Sequence, residues 1–125
     1  MTSECLKYMN SLFESLEIPY EFLQWNSPNV PNTYWTGEYI DNEPMNEDGM
    51  EGASFILTGV TNQKFIELET VKQKLKSHIT NEGMTAVLES GSVIAVTFVD
   101  AQPLPSVEYG VHRLQITLNI REWRI

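Results

Sequence analysis

Near the end of the chain Leu114, Ile116, Leu118 and Ile120 alternate with Gln115, Thr117, Asn119 and Arg121. A period of two places the four apolar side chains on one face of a strand and the polar four on the other. A sheet built round such a strand has one face to bury, and elsewhere the chain supplies helices that can cover it.

Residues 3–17 set Cys5, Leu6, Met9, Leu12, Phe13 and Leu16 at steps of three and four, the spacing of one helix face. Thr2 or Ser3 is suited to cap its start, and Pro19 stops it by disfavouring helical geometry at Ile18. A second helix is expected after Asn62 as its cap, with Phe65, Leu68, Val71, Leu75 and Ile79 in the same spacing. Glu67 and Glu69 lie toward its start and Lys72, Lys74, Lys76 and His78 toward its end, the order that complements the helix dipole. Gly83 is placed to close it.

Between the helices, Tyr20–Leu23 has room for a short strand, and Ser27–Asn32 is a loop with two prolines. Tyr34–Ile40 and Ala53–Val60 read as strands. The segment Asp41–Gly52 between them contains Pro44, Gly49 and Gly52 and is expected to be an exposed, mobile hairpin tip. Met84–Leu88 and Val93–Val99 form a hairpin round Glu89-Ser90-Gly91-Ser92. Residues Asp100–Gly110, broken by Pro103, Pro105 and Gly110, are read as an irregular connection. The expected class is therefore α+β: a mainly antiparallel sheet of about five strands packed against two helices, in the order α-β-β-α-β-β-β. No repeat or boundary divides it, and a chain of 125 residues is read as one domain.

No apolar run approaches the ~20 residues of a membrane span, and the first residues lack the pattern of a signal peptide, so the expected place is the cytoplasm. Cys5 is the sole cysteine, which rules out an internal disulfide. Its place on the apolar stripe of the first helix points to a packed thiol rather than a nucleophile.

The formal net charge of -9 opposes non-specific binding to nucleic acid or anionic membranes. No Lys or Arg lies between Lys7 and Lys64, a stretch that holds Glu14, Glu17, Glu21, Glu38, Asp41, Glu43, Glu47, Asp48 and Glu51. The later part carries Lys72, Lys74, Lys76, Arg113, Arg121 and Arg124. The two halves are biased in opposite directions.

The acidic run Asp41–Glu51 invites a cation reading. An EF-hand loop needs oxygen donors at its first, third and fifth positions and glycine at the sixth. Counted back from Gly49 the first position is Pro44, and counted from Asp41 the fifth and sixth are Met45 and Asn46, so both registers fail. An irregular cation site and a solvated charged tip remain as alternatives. Carboxylates on such a tip lack the cleft and apolar pocket that acid–base pairs require. His78 and His112 have no His or Cys at ligand spacing. No nucleophile elbow, Cys–His arrangement, dinucleotide fingerprint or phosphate loop is present. A non-enzymatic protein without cofactor or metal is expected. The aromatic group Tyr34, Trp35 and Tyr39, with Trp25 and Trp123, fits either packing of a small sheet or a protein interface.

At Tyr34-Trp35-Thr36-Gly37-Glu38-Tyr39, Glu47-Asp48-Gly49-Met50-Glu51 and Phe55-Ile56-Leu57-Thr58-Gly59 the chain resembles small tail proteins of long-tailed phages and prophages of Gram-positive bacteria. Its length and element order resemble the tail terminator family, over roughly residues 3–125 in architecture. The resemblance implies a homo-oligomeric ring, typically a hexamer, that closes the tail tube, stops its polymerisation and offers a face to the head connector or stopper. The implied partners are further copies of the chain, the tail tube protein and the connector, with no direct contact to nucleic acid or membrane. The implied places are the host cytoplasm during assembly and then the virion tail. A head-to-tail ring needs two different complementary surfaces on each subunit, and the charge split suits that need. The expected assembly surface comprises Asp41, Glu43, Glu47, Asp48, Glu51 and Trp35, with Arg121 and Arg124 on a second contact. The rival readings are a neck or head-to-tail joining protein and an acidic monomeric binding or inhibitor module. An enzyme would require a cleft between helix and sheet.

Overall fold

The computed structural model describes residues 1–80 and 82–124. The order is α1 (Ser3–Ser15), β1 (Tyr20–Phe22), β2 (Thr33–Glu43), β3 (Met50–Thr61), α2 (Ile66–His78), β4 (Met84–Val87), β5 (Val93–Leu104) and β6 (His112–Trp123). The strands form one sheet in the order β1-β2-β3-β6-β5-β4. The α+β class is as expected, with two helices and a mainly antiparallel sheet. There are six strands rather than about five, because Tyr20–Phe22 joins β2 in parallel and makes the sheet mixed. Every other pairing is antiparallel.

Both helices pack on the same face of the sheet. Phe13, Met9 and Cys5 of α1 and Leu68 and Leu75 of α2 join Phe55, Leu57, Leu114, Ile116 and Leu118 in one buried cluster. The alternation at 114–121 is realised as read, with Leu114, Ile116, Leu118 and Ile120 buried. Trp35 lies on this core face opposite Gly59, where an added Cβ would come within 2.7 Å of the indole ring. Only glycine lets that ring lie flat on the neighbouring strand.

α1 starts as expected, with the Cys5 backbone N–H donating to the Thr2 hydroxyl. It ends in a Schellman closure: Glu17 N–H donates to Glu14 O, and Ile18 N–H donates to Phe13 O at 3.1 Å. Glu17 adopts a positive φ of 58° in a position usually held by glycine. At α2 the expected caps are corrected. The helix begins at Ile66 with no side-chain cap, and the Gln63 N–H donates to the Thr61 hydroxyl instead. Thr61 wins because it is buried at the end of β3 and already bonded to Thr33 at 2.7 Å. Gly83 does not close α2 either, since it sits at φ 84° in a separate turn whose N–H donates to Thr80 O.

Two further expectations are corrected along the strands. β5 runs to Leu104, through part of the stretch read as irregular, with a bulge between Phe98 and Asp100. Beyond the four-residue β4 this part of β5 is an edge, where Pro103 costs no ladder bond. The segment Asp41–Gly52 is not a long mobile tip. Asp41–Glu43 and Met50–Gly52 extend the two strands, leaving only 44–49 as the connection.

Candidate assembly surface

Asn46 builds the short tip. Its side-chain oxygen accepts from the N–H groups of Asp48 and Met50, its own N–H donates to Met50 O at 2.9 Å, and its carbonyl accepts from Gly49 N–H. Such an Asx turn tolerates the left-handed Gly49, at φ 79°. The Arg124 N–H donates to Gly49 O and anchors the tip to the end of β6. Glu47 and Asp48 stand exposed on it.

The remaining acidic residues of the expected surface lie in the strands. Glu51 accepts from the Arg124 guanidinium at 2.5 Å, a contact that holds Arg124 still more firmly protonated. The Met1 ammonium lies between Asp41 and Glu51. Glu43 covers Gly52 on the sheet face away from the helices. Asp41, Glu51 and Arg124 therefore neutralise charge within the chain, whereas Glu47 and Asp48 make no ion pair among the described residues. Trp35 is corrected: it is fully buried and belongs to the core.

Glu122 is the residue that sequence reading missed. It is 2% exposed, and its carboxylate accepts from the Thr2 hydroxyl at 2.5 Å and the Thr2 N–H at 3.2 Å. A carboxylate at a helix N-terminus is stabilised by the free N–H groups and the dipole. Continuing the period of two one step past Ile120 would have placed it on the core face. Cys5, one turn into α1, is buried beside it, and burial first, then the Glu122 charge, pushes the thiol up to about 12.

The sheet face away from the helices is uncovered. Across its middle run the rows Thr36–Thr58–Gln115–Gln102 and Ile40–Ser54–Asn119–Thr97. Between them Glu38–Ile56–Thr117–Asp100 places charges only at the two margins. Arg121 stands on this face between Gly52 and Ala95, and Trp123 follows it opposite Val93, which pairs with Val87. Arg121 is exposed and makes no ion pair among the described residues. The aromatic group thus divides. Trp35 and Tyr39 pack in or against the core, while Tyr34 lies under Trp25 at 5.5 Å and Trp123 looks outward.

At the opposite end of the sheet a groove of about 560 Å³ lies between the 30–34 segment and the β5–β6 connection, lined by Tyr34, Val60, Val111 and Arg113 among others. It holds no cysteine or histidine. His78 is exposed at the end of α2, and His112 sits edge-on to Phe65 at 6.0 Å. Among the described residues no three His, Cys, Asp or Glu side chains converge as metal ligands, and no helix is long and apolar enough to cross a membrane.

No family model matches the chain. No curated protein matches it either. Among solved structures it is similar to a chain from the virion of a native gene transfer agent particle, with 12% identity and a TM-score of 0.65. The likeness covers 89% of this chain and 83% of that one, and it shows a shared fold.

Proposed function

We propose that the chain is a structural component of a phage-like particle, and within it a tail terminator that forms a ring on the head-proximal end of the tail tube. The observation that carries the reading is the similarity over 89% of the chain to a virion chain of a gene transfer agent particle. The surface chemistry is compatible with it. An uncovered sheet face low in charge, an acidic tip at one end and a different groove at the other give the subunit several non-equivalent surfaces. A ring that touches its own copies, a tube and a connector needs such surfaces. In this reading Glu47 and Asp48 at the tip face the tube, and Arg121 belongs to a contact between subunits.

Electron microscopy of particles assembled without the protein tests the role. Tails of uncontrolled length are expected. Tails of normal length that fail to join heads would instead make it a neck protein, and unaltered particles would remove it from the tail altogether. Neutralising Glu47 and Asp48 together should weaken addition to preformed tubes in a salt-dependent way while leaving self-association intact.

A further inference from the structure

Resting on the ring reading, we propose that the subunits join by setting the β2 margin of one copy, at Glu38 and Ile40, on the Arg121–Trp123–Val87 patch of the next. The two patches lie on the uncovered face at opposite sides of the sheet, one on β2 and the other across β6, β5 and β4. On the first, Ile40 is 56% exposed and Glu38 is exposed without an ion pair among the described residues. β1 ends beside Gly37, so from Glu38 onward β2 is an edge that a neighbour can approach.

On the second patch, Arg121 projects over the small Gly52 and Ala95, beside Trp123 at 37% and Val87 at 73% exposure. Glu43 lies over Gly52 on that face, and it forms no ion pair with Arg121 among the described residues. An arginine and a tryptophan among small apolar neighbours is the composition of an interface centre. An exposed isoleucine flanked by a carboxylate is its complement in apolar character and in sign. The second copy is the occupant because both halves of the contact occur on one chain. With a net charge of -9, copies repel one another overall, so their contact needs a local pairing of opposite charges. The blunted edges also exclude the simpler alternative of strand pairing. β2 is bulged between Asp41 and Glu43, and the free part of β5 is bulged at Val99 and contains Pro103. The contact is therefore edge on face through side chains. Turned in the same sense at each step, it is heterologous, the kind of contact that makes a ring when the rotation closes.

The test is a charge exchange read by sedimentation velocity, with thermal melting to confirm that the exposed substitutions leave the fold intact. Glu38→Arg or Arg121→Glu alone places like charges at every contact and should weaken self-association by at least about tenfold. The double variant should regain the wild-type assembly because opposite charges meet again at each contact, and an equimolar mixture of the two single variants should regain association through contacts between unlike copies. Failure of the mixture and the double variant to recover, or single variants that assemble like wild type, would overturn the pairing and leave the ring standing. A wild-type protein that stays monomeric at every concentration would overturn both. A wild-type species no larger than a dimer would overturn the ring alone, and recovery by exchange would still support the pairing.

Discussion

The two faces of the sheet are made by the same strands, yet they obey different rules. Toward the helices every position on β6 from Leu114 to Glu122 is buried, and even the single carboxylate is bonded on two sides by Thr2. Away from them the intervening positions Gln115, Thr117 and Asn119 are half-buried with no layer over them. The first face is fixed by close packing, tight enough that the buried Trp35 indole N–H is left without a hydrogen-bond partner among the described residues. The second has spare capacity: uncharged polar side chains that a partner can cover without burying a charge.

Neighbouring substitutions on one strand sharpen this contrast most. Leu118→Ala should cost about 2–5 kcal/mol in chemical denaturation, since it opens a cavity in the centre of the core. Gly59→Ala comes next, at about 1–3 kcal/mol, because its methyl must displace the buried Trp35 ring. Glu122→Ala should cost about 2 kcal/mol by leaving the start of α1 unpaired, and most of that loss should vanish in a Thr2→Ala background if the two side chains act as one unit.

The Cys5 thiol tests the same face by pH. Its folded value is raised to about 12 from 9.0, so folding favours the protonated form. That stability is complete below about pH 9 and is lost as pH rises toward 12. At pH 8 a thiol reagent should therefore label Cys5 only at the rate of opening, and rapid labelling of the folded protein would contradict the burial. The smallest effect is expected on the uncovered face, where Asn119→Ala should change stability by no more than about 0.5 kcal/mol. A large loss there would mean that this face is already committed to packing within the subunit.

Much of this was legible in the residues. The steps of three and four in α1 and the alternation in β6 each named their buried sides correctly, because local periodicity and burial coincide when one face alone is covered. Cys5 was rightly read as packed. The misses occurred where a distant partner overrode a local preference. Asn62 is a good cap, yet the buried Thr61 took over the turn. Pro103 is a poor strand residue, yet an edge with no neighbour tolerates it. The acidic run looked like a mobile tip because strand extension at Asp41–Glu43 depends on pairing with Ala53 and Gly52. The N46-x-D48-G49 order was the available signal for the short Asx turn. Within the candidate site, Arg121 was correctly placed on the polar face, whereas Trp35 was drawn onto the surface by its aromatic neighbours although Gly59 makes room for it inside.

The sequence by itself determined the class of the fold, the inward faces of α1 and β6, and the excess of negative charge, since each depends on residue type and spacing along the chain. Only the tertiary structure decided which charges are spent internally and which remain outward. Glu51 meets Arg124, and Glu122 meets Thr2, across separations of 73 and 120 residues. Those pairings follow from strand order and register, which bring remote positions within hydrogen-bond reach and leave Arg121, Glu38, Glu47 and Asp48 facing outward.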